Sequence, residues 1–276
     1  MIFTKHSITL LISAGLIFSA TAFAGTSDII GSNNQVGIQL ISTNVDYTET
    51  GNGLFGVTGK LDTETGRVAG SALSISAMKD WWLGNDYIAA EYDHSSGNTN
   101  YVGGLIGPPP TPYGSVVGIS SATLINYSAR YGKGFIINDE LMLTPYAELG
   151  SHEWDRGVNF GETYTHHYYG IGALGQYSPA SKLVLSANAM LGSTFGSNIV
   201  VNGAFSAALG SSVLYRMGVA ADYELAQNLH GNIGVDYMSF NYGISALYPI
   251  GGNIVTWEPD SKTKYTMIKI GLGCAF

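Results

Sequence analysis

The sequence predicts an all-β chain that closes into a transmembrane, antiparallel, up-and-down barrel of about ten strands, after a cleaved leader. Three observations predict it. Apolar residues recur with period two in many separate segments, and the connections between those segments alternate between short and long. The last twelve residues form an alternating strand that ends on an aromatic ring.

The leader comes first in the chain. Lys5 supplies a positive start, residues 8–18 are apolar and uncharged, and Ala22-Phe23-Ala24 is a small-x-small cleavage signal. Residues 1–24 therefore read as a signal peptide, too short to span a bilayer comfortably, and 25–276 as one barrel domain. No cysteine lies near the cleavage point, so no lipid anchor is expected there. Losing Lys5 with the leader makes the formal charge of −8 more negative still.

Composition narrows the class. Charged residues make up 12% of the chain, against about 25% in soluble domains, while Gly reaches 37 and Tyr 18. Beyond the leader no apolar run is long enough for a spanning helix, which excludes a helical membrane protein. A chain poor in charge and without such runs must spread its apolar residues as alternation, and in lipid only a closed barrel then satisfies the backbone. The acidic balance argues against nucleic acid. Cys274 is the only cysteine, so no intrachain disulfide forms, and no cofactor motif is present.

Ten segments alternate, at 35–46, 67–79, 86–97, 120–133, 140–153, 163–177, 183–196, 210–224, 229–243 and 262–276. In the eighth, Val213, Tyr215, Met217 and Val219 share one face, and Arg216, Gly218 and Asp222 the other. In the last, Phe276, Leu272, Ile270 and Ile268 oppose Gly273, Gly271, Lys269 and Met267. Counts of eight or twelve also fit, because 199–209 is apolar enough to blur one boundary. Residues 81–85, 134–139, 178–182 and 225–228 are short turns; the other connections are mostly longer, notably 98–119 with its proline run. Short turns on the periplasmic side and an even count place both termini in the periplasm.

Register can be read from the same pattern. A hairpin centred on Asn159 sets Tyr146 opposite Gly172, Glu148 opposite Gly170 and His152 opposite His166. A second, centred on Ala180, sets Gly172 opposite Asn188 and Tyr168 opposite Gly192. Large beside small suits a narrow lumen. Tyr131, Phe135, Tyr177, Tyr223, Phe276, Trp81 and Trp82 fall near the short turns. Tyr92, Trp154, Tyr169, Phe195, Tyr215 and Tyr237 fall nearer the long loops, so the two sets resemble interfacial girdles.

The inward set holds Glu91, Asp93, Arg130, Glu148, Arg216, Asp222, Asp236 and Lys269. Mixed signs in a bore of about ten strands favour a paired network that plugs the lumen over an ion-conducting channel. Arg216 with Asp236, and Asp236 with Lys269, lie on adjacent strands and are placed to pair. His152 and His166, with Asp155 and Glu162 close by, form the one speculative rim site. Two imidazoles and a carboxylate suit zinc or copper, or water activation, but hydrogen-bonded rim histidines are the simpler reading, and no metal is assigned. The loop at 107–114 and the stretch 244–259, with Tyr248, Trp257 and Glu258, offer aromatics to an extracellular ligand of unknown identity.

The leader, the glycine-rich strands, Leu143-Thr144-Pro145-Tyr146-Ala147-Glu148-Leu149-Gly150 and the terminal Phe276 resemble the small bacterial outer-membrane barrels of the opacity, outer membrane protein A and outer membrane protein W type. That resemblance implies an outer-membrane location and contact with outer-membrane lipid and lipopolysaccharide. It also makes Phe276, Leu272 and Ile270 the signal read by the β-barrel assembly machinery. The strand count departs from the eight of those relatives, so their activities are not carried over. No periplasmic domain is expected after the last strand. The omptin proteases are ten-stranded barrels with acids and histidines at the rim, but their Asp-x-Asp and Asp-x-His spacings are missing here. Lipid A-modifying barrels use His and Ser, and no such pairing stands out. The leading expectation is a non-enzymatic barrel with a structural or surface-interaction role. A narrow pore is the first alternative, and an omptin-like or lipid A-modifying hydrolase the second.

Overall fold

The computed structural model describes residues 25–104, 111–159, 161–251 and 254–276. The expected leader, and the proline run as far as Pro110, lie outside the described residues. A short helix, α1 (Thr26–Ser32), precedes the strands. These are β1 (Gln35–Asn52), β2 (Thr58–Lys79), β3 (Asp86–Gly103), β4 (Val116–Lys133), β5 (Phe135–Asn138), β6 (Leu141–Arg156), β7 (Glu162–Ala180), β8 (Leu183–Val201), β9 (Phe205–Ala208), β10 (Val213–Ala226), β11 (Leu229–Tyr242), β12 (Tyr248–Gly251), β13 (Ile254–Thr256) and β14 (Asp260–Ala275).

Ten of them close a ring in the order β1, β2, β3, β4, β6, β7, β8, β10, β11, β14, each antiparallel to its neighbours, with β14 returning to β1. Closure leaves no exposed ladder edge around the wall, which is the condition for crossing lipid with strands. β5 continues the line of β4 past Gly134 and pairs β6, while β9 pairs β8. β12 and β13 form a separate hairpin in the last long connection. At the seam Phe276 N–H donates to Asn34 O at 3.0 Å, so the last residue is tied to the start of β1.

The outward face has two zones. On β1, Ile38 and Leu40 are 58% and 69% exposed, yet two turns of the pleat further on the outward residues are Asn44 and Asp46. On β14, Leu272, Ile270 and Ile268 give way to Lys264 and Lys262. On β6, Leu143 and Leu149 give way to Glu153 and Asp155. The apolar zone circles the short-turn half and is the lipid-facing belt. The strands continue beyond it, which is why β2 runs 22 residues and β1, β3 and β4 run 18 each. An 18-residue strand tilted as barrel strands are rises about 45 Å, against a belt about 25 Å tall. The sequence segments 35–46 and 67–79 stop short because they followed only apolar alternation.

The first hairpin register holds: Tyr146 faces Gly172, Glu148 faces Gly170 and His152 faces His166. The second differs by two residues. Gly172 faces Met190 rather than Asn188, and Tyr168 faces Thr194 rather than Gly192. A bulge between Tyr177 and Ala180, followed by a turn with Lys182 at φ +71°, shifts the pairing while keeping every side chain on its face. Tyr131, Phe135, Tyr177, Tyr223 and Phe276 point outward with Trp81 and Trp82 near the short turns. Trp154 departs from the expected outer girdle and is fully buried in the lumen. Its even number on β6 puts it on the face of Tyr146, Glu148 and His152, and the ring stacks on Tyr164 at 5.9 Å.

Candidate functional site: the lumen and its long-loop mouth

At the short-turn end α1 closes the bore, an element the alternation pattern did not predict. Ile29 is fully buried. Asn33 and Gln176 exchange two amide hydrogen bonds, at 2.7 and 3.0 Å. The Asn34 side chain pairs with the backbone N–H and C=O of Met78, at 3.0 and 3.2 Å, as a strand residue would. Ser178 donates to Asp28 at 3.2 Å. Nearby, Asp222 contacts His230 at 2.6 Å and accepts from Gln35 at 3.1 Å.

Above the helix a polar chamber of about 220 Å³ leads to a layer of ion pairs. Glu148 takes Arg130 from the adjacent strand and Arg216 Nη1 at 2.7 Å from three positions round the wall. Tyr168 OH donates to the same carboxylate at 3.0 Å. Arg216 Nη2 reaches Glu91 at 3.3 Å, and Lys269 Nζ bridges Glu91 and Asp236, each at 2.7 Å. Three carboxylates face three cations, so the layer is balanced. Asp236 and Lys269 meet as the sequence suggested. Arg216 does not pair with Asp236, because Gly218 is the residue opposite Asp236 and Arg216 instead spans the bore. Glycines make room for the long side chains: a Cβ on Gly150 would overlap the Tyr168 ring, and one on Gly172 the Tyr146 ring. Asp93 stands just above, accepting from Asn126 Nδ2 at 2.6 Å. A void of only about 20 Å³ remains between this layer and the next.

The next layer is aromatic. His152 and His166 lie side by side with ring centroids 5.1 Å apart, both buried. Asn126, whose amide N–H₂ is turned to Asp93, offers its oxygen to His152 Nδ1. His152 Nε2 pairs with Tyr265 OH at 3.1 Å, and His166 Nδ1 with Tyr242 OH at 3.0 Å. Phe240 packs on His166 at 4.3 Å. The carboxylates expected beside these histidines are elsewhere. Asp155 faces outward and accepts from Thr163, while Glu162 belongs to the layer above. No group of three or more His, Cys, Asp or Glu among the described residues is placed to hold a metal ion. Their only His–carboxylate ion pair is Asp222–His230, at the far end of the barrel.

The outermost layer was missed in the sequence. Arg156 pairs with Glu64 at 2.8 Å, Glu162 at 2.9 Å and Asp62 at 3.4 Å, and lies 4.4 Å from the Tyr47 ring centroid. Tyr47 OH meets Tyr164 OH at 3.2 Å and Glu49 at 3.2 Å. The connection before β14 folds down as a cap: Ser245 N–H donates to Glu258 O at 2.9 Å, and the Glu258 carboxyl turns inward to accept from Tyr164 OH. Glu258 is therefore buried, unlike an exposed loop acid. Five carboxyls share one guanidinium here, above the lipid belt. Burial, then the charge of Glu162, raises the Glu258 carboxyl to about 8; burial raises Asp62 to about 6 despite Arg156. Parity was the available signal, since Asp62 and Glu64 share a face with Val68 and Ala72, and Arg156 with His152.

Each layer contains a contact between diametrically opposed strands, five places apart in the ring of ten. These are Arg216–Glu91, His152–Tyr265 and Tyr47–Tyr164. The bore is crossed by protein at three heights.

No family model matches the chain, and no curated protein matches it. Among solved structures it is similar to the outer membrane protease OmpT from Escherichia coli, at 11% identity, over 89% of this chain and 98% of that one, with a TM-score of 0.58. Neisserial surface protein A matches at 9% identity over 87% and 97%, with a TM-score of 0.36. Ail of Yersinia pestis matches at 11% over 88% and 99%, with a TM-score of 0.33. The first of these likenesses supports the fold, that of an outer-membrane β-barrel.

Proposed function

We propose that the protein is a sealed barrel of the bacterial outer membrane, with both termini in the periplasm, whose work is done by the wall and loops that stand outside the lipid. The observation that carries this reading is the filled bore: three layers of buried side chains, each with a contact between opposed strands, above a helix that closes the short-turn mouth. A conducting pore needs a continuous water path, and a contact across the bore in each of the three layers argues against one. A rim hydrolase of the omptin type needs an imidazole working with a carboxylate, whereas His152 and His166 bond to neutral partners. The outer half is the part with surface to offer. It projects about 20 Å beyond the belt and carries the aromatic-bearing loops.

Planar-bilayer recording on the refolded full chain tests the reading. A silent membrane is the expected result. Defined steps that grow with salt concentration would overturn it in favour of a pore.

A further inference from the structure

The connection between β1 and β2 carries a residue that neither packing nor turn chemistry explains. Phe55 sits in the left-handed region at φ +50°, ψ +28°, inside the single 3-10 turn Leu54–Gly56. Bulky residues avoid that region, and a neighbouring position would have been the ordinary place for a glycine. Glycines indeed take the left-handed positions on either side, Gly53 and Gly56. The strain is not offset by burial, since Phe55 is 64% exposed and among the described residues touches one other ring, Trp257, at 5.4 Å. Such strain persists where the displayed side chain has a use.

The ring borders a cleft of about 250 Å³ between this turn and the next long connection. Its walls are Phe55, Val57, Leu61, Pro112 and Tyr113, with Lys60 on the edge. Tyr113 is fixed by a 2.9 Å hydrogen bond between its hydroxyl and that of Thr63, and the Lys60 ammonium lies 5.2 Å from its ring centroid. No carboxylate among the described residues pairs with Lys60. The acid nearest in sequence, Asp62, points the other way, into the lumen, and belongs to Arg156. An apolar cleft with a cation at its edge is thus offered outward by a chain of net charge −8.

We infer that this cleft docks one apolar ring or branched side chain of a partner protein, with a neighbouring carboxylate of that partner meeting Lys60. The inference rests on the surface-interaction reading above and names its site. Size fits one side chain, since the cleft is smaller than the 300–1,000 Å³ typical of sites for larger ligands. Chemistry separates a protein from a saccharide: among the described residues the side-chain hydroxyls of the lining are those of Thr58, Thr111 and Tyr113, few for a sugar, whose buried hydroxyls each need a partner. Aromatic and aliphatic anchors seated in small pockets are what protein interfaces use.

The test uses the full chain refolded in detergent and N-acetylphenylalaninate as probe, followed by ligand-observed NMR. Saturable binding is expected. N-acetylphenylalaninamide, which lacks the charge, should bind more weakly by about 2–5-fold, and Lys60→Ala should weaken the charged probe by a similar factor. Phe55→Gly removes the ring and relieves the backbone, so the barrel should still form while binding is lost. Lys262→Ala, an exposed outward cation on β14, should change nothing. Equal binding of acid and amide, binding that survives Phe55→Gly, or no saturation would each overturn the inference. Binding of glucuronate in place of the aromatic acid would do so too, in favour of a saccharide. Conductance recorded on the same preparation judges the sealed barrel separately, so loss of the cleft leaves that reading standing.

Discussion

Arg216 on β10 and Glu91 on β3 stand on opposite sides of a ten-stranded wall, yet their side chains meet at 3.3 Å. A guanidinium can reach that far only where nothing else occupies the axis, and once there it occupies the axis itself. The same guanidinium holds Glu148, which in turn holds Arg130 and Tyr168. The layer is one connected unit, and that sets how it responds to change.

Removing one partner should cost more than removing two. Arg216→Ala leaves the Glu148 and Glu91 carboxylates short of a cation in a buried setting, where a broken pair costs about 3–5 kcal/mol. Arg216→Met with Glu148→Gln should cost clearly less. The midpoint of urea unfolding, followed by the gel shift between folded and heated barrel, would show it; equal losses would mean that the network is not coupled.

The outer cap should loosen as pH rises. A carboxyl raised in the folded state binds its proton more tightly there than in the unfolded chain, so folding is favoured fully below the unfolded value. That advantage is lost as pH climbs to the folded value. For Glu258 the window runs from 4.5 to about 8, and for Asp62 from 3.8 to about 6. Hydrogen exchange of residues 244–251 and 254–259 should therefore quicken between about pH 4.5 and 8, and Glu258→Gln should flatten that dependence. A parent with no pH dependence beyond the intrinsic chemical rate would refute a cap held by protonated Glu258.

Phe276→Ala should act on assembly more than on the finished barrel. The ring is 60% exposed on the lipid side, and its backbone N–H still ties to Asn34 without it. Yield of folded protein in outer-membrane fractions should fall several-fold, while the refolded variant unfolds near the parent midpoint. Lys269→Ala should do the reverse, because Lys269 bridges Glu91 and Asp236 inside. Identical behaviour of the two variants would contradict the assignment of the two faces.

The plug should depend on its amide pair. Asn33→Ala removes both hydrogen bonds to Gln176 and leaves that amide buried and unmet, a loss of about 1–3 kcal/mol. Amide exchange in α1 should speed up by at least about fivefold while exchange in β6 and β7 holds. Unchanged exchange in α1 would mean that Ile29 and Asn34 suffice to hold it.

Much of this molecule was legible before its structure. Period-two alternation is a local property, so it assigned Ile270 and Leu272 to lipid, Lys269 and Glu148 to the lumen, and ten strands to the wall. Hairpin register was legible where the turn is regular, as for His152 and His166, and slipped by two where a bulge intervenes before Lys182. Parity also held the answer for Trp154 and Arg156, but the apolar pattern faded there because the strands leave the lipid and the outward face turns polar, as at Glu153 and Asp155.

What the chain alone determined, then, is which face the strand residues take within the lipid belt, because a strand offers two faces and a bilayer distinguishes them sharply. What only the tertiary structure decided is who meets whom across the bore. Arg216 chooses Glu91 and Glu148 over Asp236, Glu258 turns in beneath the cap, and α1 returns to stop the mouth. Those partners are set by closure of the ring, which brings strands five places apart within reach of one side chain, and nothing in the spacing of residues along a single strand encodes that distance.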